Sequence, residues 1–124
     1  MVGDLRTLSG RNVLIVEDEY FIATDLQRAL AAAGATVVGP AGNVADGLKL
    51  AQSQTIHAAI LDVNLDGDRS YALADELRRT QIPYMFLTGY DGWSLAPEHR
   101  DAPRLAKPFS DTAVIEMLTQ ICDL

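Results

Sequence analysis

The chain has 124 residues, a formal net charge of −7, 48% hydrophobic residues and 22% charged residues. This length suits one domain with its own core, and the composition is that of a globular protein rather than a disordered one. The acidic charge argues against direct nucleic acid binding, and the single cysteine excludes an internal disulfide. The sequence carries neither a membrane-spanning apolar run nor a signal peptide pattern. We therefore expect a cytoplasmic domain with no nucleic acid or membrane partner.

Short apolar runs alternate with helical patterns along the first half of the chain. The first run, Asn12–Val16, is continuous and rich in β-branched residues, which is typical of a strand covered on both faces. Residues 21–33 repeat apolar side chains at helical spacing, and Gly34 follows as a C-terminal stop. Residues 36–38 predict a second strand that is closed by the Gly-Pro pair after it. Asn43 can cap the helix that comes next.

The second half continues this alternation. We predict strands at residues 58–61, 83–87 and, weakly, 103–106, with a helix at residues 70–80. Ser110 or Asp111 caps a last helix whose apolar stripe contains Val114, Met117, Leu118 and Ile121. The five βα units predict an α/β fold with a parallel sheet and helices on both faces.

Side chains with metal or phosphate chemistry follow four of the predicted strands. Glu17 and Asp18 follow the first strand, Asp62 the third, Thr88 the fourth and Lys107 the fifth. In an open parallel sheet, ligands bind at the C-terminal strand edge, so these distant residues are expected to meet in one pocket. A single aspartate after a strand is usually a turn or cap residue, and only the recurrence of partners in order favours a site.

A pocket of this composition predicts magnesium and phosphoryl chemistry. Three close carboxylates repel one another unless a cation neutralises them, and Mg²⁺ prefers carboxylate and backbone oxygens. Lys107 adds a further positive charge, so the loaded pocket could accept a dianionic phosphoryl group. Asp62 could then act as the nucleophile, while the metal and Lys107 stabilise the transferring oxygens.

Four short motifs resemble those of the receiver domains of bacterial two-component response regulators. They are residues 16–19 (Val-Glu-Asp-Glu), 61–65 (Leu-Asp-Val-Asn-Leu), 88–89 (Thr-Gly) and 107–109 (Lys-Pro-Phe). The resemblance covers residues 11–122 and implies a flavodoxin-like sheet of five strands in the order 2-1-3-4-5. The four motifs in order are far more specific than any one of them.

The resemblance also implies a role for each site residue. Asp62 would be the phosphoacceptor, and the metal would be Mg²⁺ or Mn²⁺. Asp18 would bind this metal directly and Glu17 through water, and the backbone carbonyl of Asn64 would add another oxygen ligand. A phosphorelay receiver would thus hold the metal and the phosphoryl group together, at the C-terminal ends of its strands.

Two more residues complete the implied machinery. Lys107 would pair with a phosphoryl oxygen, and Thr88 would hydrogen-bond the phosphoryl group and report it to the rest of the fold. The phosphodonor would be a phosphohistidine on a sensor histidine kinase or a histidine phosphotransfer protein. A downstream protein of unknown identity would bind the phosphorylated form.

One position departs from the usual receiver pattern. Receivers carry an aromatic switch residue three positions before the lysine, and here that residue is Arg104. Residues 83–90 resemble a subgroup with a Phe-Ala-Thr-Gly-Tyr signature, with Leu87 in place of its alanine. Members of that subgroup lack the later aromatic residue and have a short or mobile fourth helix. Residues 91–102, with Gly92 and Pro97, agree with a short or irregular helix.

The absence of the usual aromatic residue leads to a hypothesis about the switch. Thr88, Tyr90 and Arg104 are the candidate switch residues, and we expect Tyr90 with residues 89–102 to replace the threonine–aromatic coupling. The two histidines, His57 and His99, lack metal-ligand spacing and are expected at the surface or where strands begin.

The sequence predicts a single receiver domain over residues 1–124 with no output domain. It would take a phosphoryl group onto Asp62 and then switch partner binding or act as a phosphoryl sink. It would catalyse only its own phosphorylation and dephosphorylation. One alternative is a small Mg²⁺-dependent phosphohydrolase, although Asn64 stands where such enzymes commonly have an acid–base aspartate. The other is an interaction module that works without phosphorylation.

Overall fold

A computed structural model of the chain describes residues 7–65, 68–89 and 95–122. Five parallel strands form one sheet in the order β2-β1-β3-β4-β5. In chain order they are β1 (Asn12–Val16), β2 (Thr36–Ala41), β3 (Ala58–Asp62), β4 (Tyr84–Thr88) and β5 (Arg104–Ala106). The flavodoxin-like strand order is therefore confirmed.

Four α-helices accompany the sheet within the described residues. They are α1 (Tyr20–Ala32), α2 (Val44–Ser53), α3 (Tyr71–Arg79) and α4 (Asp111–Cys122). Between β4 and β5, the described residues 95–103 contain only a 3₁₀ turn at Pro97–His99, which confirms the irregular connection predicted there. A two-residue antiparallel ladder, Asn64–Leu65 with Asp68–Arg69, precedes α3. No helix in the described ranges is long and apolar enough to span a membrane.

The two faces of the sheet carry separate apolar cores. Side chains alternate along β1, so Val13 and Ile15 pack with α1 and α4, whereas Leu14 and Val16 pack with α2 and α3. Every strand residue from Val13 to Val16 is fully buried. Burial on both faces explains why the strand sequence is continuously apolar rather than alternating.

The helix ends follow the predicted caps. The Asn43 side chain accepts a hydrogen bond from the Asp46 amide at 2.8 Å, which caps α2. Ser110 Oγ accepts one from the Ala113 amide at 3.1 Å, so Ser110 caps α4. Gly34 follows α1 with φ +94°, a conformation that suits glycine after a helix.

The prediction that a Gly-Pro pair closes the second strand was wrong, because β2 continues through both residues to Ala41. β2 lies at the sheet edge, where proline's missing amide costs no ladder hydrogen bond. The pairing with β1 shifts register between Leu14 and Val16, and Gly39 adopts φ +94° there. A Cβ on Gly39 would lie 2.9 Å from the Ile15 carbonyl oxygen, so only glycine fits this irregular edge.

Candidate functional site

The first two acidic residues follow the end of β1. The backbone of Glu17 is fixed because its amide donates to the Ala41 carbonyl at 2.9 Å, a contact that exists because β2 extends past its Gly-Pro pair. The Glu17 carboxylate is buried, and its Oε2 accepts from the Glu19 amide at 3.0 Å. Asp18 is exposed. One carboxylate therefore faces inward and the other lies at the solvent side.

The third acidic residue ends β3, at the centre of the sheet. Asp62 is only 6% exposed, and its Oδ1 accepts a hydrogen bond from the Asn64 amide at 3.1 Å. The following amide, that of Val63, donates to the Leu87 carbonyl at 3.0 Å and ties this end of β3 to β4. The position of the Asp62 carboxylate is thus set by two neighbouring backbone segments.

Lys107 joins the two buried carboxylates. Its backbone amide donates to the Thr88 carbonyl at 2.7 Å, which holds the residue at the end of β5. Its Nζ lies 2.8 Å from Asp62 Oδ2 and 3.1 Å from Glu17 Oε1. Two acids that precede Lys107 by 45 and 90 positions in the sequence therefore share its ammonium group.

The electrostatics of this cluster are dominated by burial. Burial raises the pKa of Glu17 to about 7, with a further rise from Asp62, while the Glu19 amide and Lys107 oppose the shift. For Lys107, burial acts to lower the pKa, but hydrogen bonding and attraction to Asp62 and Glu17 outweigh it, so the pKa is raised. A positive charge is therefore strongly favoured beside the buried acids.

The carboxylates also meet the requirements of a metal site. One oxygen each from Glu17, Asp18 and Asp62 can be chosen so that all lie within 4.8 Å of one another. Oxygen-only donors with an excess of negative charge suit a hard divalent cation. The donor set therefore fits Mg²⁺ or Mn²⁺, as the sequence predicts.

The predicted switch residues have separate surroundings. Thr88 is buried, and its hydroxyl donates to the Leu105 carbonyl at 3.4 Å, a long hydrogen bond. Arg104 is exposed, and its Nη1 donates to the Arg100 carbonyl at 2.8 Å. Tyr90 lies outside the described residues, so the hypothesis about it stays a prediction.

A cluster of aromatic rings, formed by Tyr71, Phe86 and His99, is not predicted by the sequence. His99 was expected at the surface or at the start of a strand, but this expectation was wrong, because it is 1% exposed within the 3₁₀ turn. Its ring stacks on Tyr71 and contacts Phe86 edge-on. These residues come from α3, β4 and the β4–β5 connection, and no local pattern in the sequence predicts their contact. His57, by contrast, precedes β3, and its Nδ1 accepts from the Asn12 amide at 2.8 Å.

The protein family of this chain follows from its similarity to known proteins. A family model described as the response regulator receiver domain matches residues 13–119. The chain belongs to the response regulator receiver domain family. This membership places the protein in two-component signalling and confirms the resemblance seen in the four motifs.

Individual relatives are receiver-containing regulators. The transcriptional regulatory protein PdtaR of Mycobacterium tuberculosis is 34% identical over 109 residues, which is 85% of this chain and 53% of PdtaR. The phyllosphere-induced regulator PhyR of Methylorubrum extorquens is 32% identical over 87% of this chain and 42% of its own length. This chain therefore spans about half the length of these relatives.

The fold matches solved receiver structures. The solution structure of SdrG from Sphingomonas melonis Fr1 is 38% identical, with a TM-score of 0.82, and the match covers 95% of this chain and 98% of SdrG. The crystal structure of PhyR from Brucella abortus matches with a TM-score of 0.83 at 26% identity, over 98% of this chain and 51% of PhyR.

Proposed function

We propose that the domain is a phosphoacceptor in a His–Asp phosphorelay, with Asp62 as the acceptor. The observation that carries this proposal is the shared contact of Lys107 with the buried carboxylates of Asp62 and Glu17. Asp18 adds a third carboxylate to the same cluster. Such a cluster combines a nucleophile, a cation and a set of metal donors. A structural ion pair at a protein surface requires only two opposite charges, so the meeting of all three favours a functional site.

The proposed transfer forms one bond and breaks one. A carboxylate oxygen of Asp62 attacks the phosphorus of a phosphohistidine, and the phosphorus–nitrogen bond breaks. The imidazole nitrogen leaves with the electron pair and takes up a proton, and an acyl phosphate remains on Asp62. Lys107 Nζ, which lies 2.8 Å from Asp62 Oδ2, would then pair with a phosphoryl oxygen.

The metal would be held by chain oxygens at the same strand edge. Asp18, Glu17, Asp62 and the backbone carbonyl of Asn64 are the proposed donors. A bound Mg²⁺ would supply positive charge that neutralises the phosphoryl oxygens in the transition state. The buried cluster cannot balance that charge with Lys107 alone, because the carboxylates already outnumber it.

A donor protein can reach the site from the α1 side. A cleft of about 410 Å³ opens next to Lys107 and is lined by Glu19 just before α1, by Ile22 on α1 and by Phe109 after β5. The donor would be a sensor histidine kinase or a histidine phosphotransfer protein. The exposed Asp18 lies next in sequence to the buried Glu17, so the cluster has a solvent-facing member.

Phosphorylation would change what the domain binds. The Thr88 hydroxyl makes only a 3.4 Å contact with the Leu105 carbonyl, so it can exchange this partner for a phosphoryl oxygen at small cost. The relatives PdtaR and PhyR are named as regulators, which supports a regulatory output for this domain. We propose that the domain works in the cytoplasm, where it either switches a downstream protein or accepts phosphoryl groups in competition with other acceptors of the same kinase.

Acetyl phosphate labelling tests the chemistry. Incubation with acetyl phosphate and Mg²⁺ should add the mass of one phosphoryl group to the intact protein. The Asp62→Asn variant and a sample with EDTA should gain nothing. Asp46→Asn is the matched control, because Asp46 is an exposed aspartate on α2 that belongs to neither the metal cluster nor the cleft, and it should be labelled like wild type.

Two outcomes would contradict the proposal. Wild-type protein that gains no mass would favour an interaction module that works without phosphorylation. Sustained turnover of a generic phosphate ester would instead favour a phosphohydrolase.

A further inference from the structure

One aromatic ring fastens the 3₁₀ turn to α3. Tyr71, the first residue of α3, stacks on His99 with ring centroids 4.7 Å apart and planes 6° from parallel. The Tyr71 hydroxyl also accepts a hydrogen bond from the Ala96 amide at 2.9 Å. A single side chain therefore contacts both the start and the end of the segment 96–99.

His99 is the other half of this contact. Its Nε2 lies 3.3 Å from Asp75 Oδ1, and its Nδ1 lies 3.5 Å from Arg78 Nη2, so both ring nitrogens face α3. Arg78 Nη2 donates to the Glu98 carbonyl at 3.3 Å as well. Side chains of α3 thus hold the turn against the helix, and the buried imidazole of His99 contacts three of them.

The aromatic cluster contacts the strand that carries the threonine, and the residue before α3 contacts the residue that follows the acceptor. Tyr71 lies edge-on to Phe86, with centroids 6.1 Å apart and planes at 89°, and Phe86 is two residues before Thr88 on β4. On the other side, the amide of Ser70, just before α3, donates to the Val63 carbonyl at 2.9 Å. Val63 directly follows Asp62, so a change at the acceptor has two short routes to Tyr71.

We propose that the Tyr71–His99 stack couples the phosphorylation state of Asp62 to the position of residues 95–102. Two states are involved: the stacked state of this structure, and a released state in which His99 leaves α3. Arg104 is exposed and bonded to the Arg100 carbonyl, so the usual aromatic position on β5 does not provide this coupling. The regulatory half of the proposal rests on phosphorylation of Asp62. A two-state element that one site biases is what allosteric coupling requires.

Amide hydrogen exchange of residues 95–102, with intact mass measured on the same samples, tests the coupling. In unphosphorylated protein, Tyr71→Ala should speed exchange at the Ala96 and His99 amides by about tenfold, the size of one aromatic contact. Acetyl phosphate should change exchange of this segment in wild type. Tyr71→Ala should take up the same phosphoryl mass with no further change in exchange.

Two further variants separate the role of the Tyr71 ring from the loss of any tyrosine ring and from the loss of its hydrogen bond. Tyr20→Ala removes a tyrosine that is likewise the first residue of a helix, but whose only contact with another aromatic ring in the described residues is with the exposed Phe21, and it should leave the response of the segment to phosphorylation intact. Tyr71→Phe keeps the ring and loses only the hydrogen bond to the Ala96 amide. It should retain the phosphorylation response with faster exchange at Ala96, and a response lost in Tyr71→Phe would overturn the ring stack as the element that couples the two sites.

The possible failures are distinguishable. Wild-type protein that gains no phosphoryl mass contradicts the proposed function. In that case, amide exchange in unphosphorylated Tyr71→Ala still tests whether the stack holds the turn on α3. If the Ala96 and His99 amides of that variant exchange as fast as in wild type, the stack does not hold the turn on α3. A phosphorylation response that survives in Tyr71→Ala overturns the coupling.

Discussion

Replacing Lys107 by methionine should have opposite effects on folding and on metal binding. The change keeps the length of the side chain and removes the ammonium group that lies 2.8 Å from Asp62 and 3.1 Å from Glu17. Without metal, two almost fully buried acids lose their shared counterion, and the pKa of Glu17, which Lys107 acts to lower, should rise above about 7. With metal, the same loss removes a cation that repels Mg²⁺.

The expected loss in the free energy of unfolding lies between the values for breaking a surface ion pair and breaking a buried one. Breaking a buried pair costs about 3–5 kcal/mol, and a surface pair is worth about 0–1 kcal/mol. The Lys107 side chain is 21% exposed, and each acid keeps one backbone donor, Glu19 or Asn64. We expect the free energy of unfolding to fall by about 2 kcal/mol in Lys107→Met.

Urea denaturation with and without Mg²⁺ measures both effects. In EDTA, the midpoint for Lys107→Met should fall while the slope stays that of wild type. Added Mg²⁺ should raise stability more in the variant than in wild type, because binding to the native state stabilises it, and the affinity for Mg²⁺ should rise about tenfold. Lys49→Met is the matched control, because Lys49 is an exposed lysine on α2, and its stability should change by less than about 0.5 kcal/mol.

Either of two results would refute this reasoning. Unchanged stability of Lys107→Met in EDTA would mean that the ammonium group does not neutralise the buried acids. Weaker Mg²⁺ binding in the variant would mean that Lys107 organises the donor oxygens rather than competing with the metal for them.

Three further substitutions test other parts of the fold and the site. Gly39→Ala should lower the free energy of unfolding by about 2 kcal/mol or more, because φ is +94° and the new Cβ would lie 2.8 Å from the Ala41 amide nitrogen; Gly42→Ala, where a Cβ meets nothing within 4 Å, should be nearly neutral in the same urea titration. Asn43→Ala should cost about 1 kcal/mol, since it removes the cap of α2, and a loss of phosphoryl labelling beyond that expected from instability would contradict a purely structural role. Asp18→Asn should weaken Mg²⁺ binding about tenfold in a calorimetric titration with little change in stability, because this carboxylate is exposed; unchanged Mg²⁺ affinity would exclude Asp18 as a ligand.

The individual elements could be predicted from the sequence because periodicity reports burial along each one. The continuous apolar run of β1 gave the strand with its observed bounds, Asn12–Val16. The caps at Asn43 and Ser110 depend on side chains that bond an amide three residues away, so they too are local. The strand order came from the resemblance to receiver domains, because periodicity does not say which strands are neighbours.

The sequence by itself determined where the acids and the lysine stand, at the ends of predicted strands, since a strand's end is visible as the end of an apolar run. Only the tertiary structure decided that Lys107 bridges Glu17 and Asp62, and that burial raises the pKa of Glu17 to about 7. It also decided that β2 runs on to hold the Glu17 backbone, and that His99 is buried against Tyr71. Each of these features depends on atoms from separate elements meeting at one point, and such distances are set by how the elements pack rather than by any one element's residues.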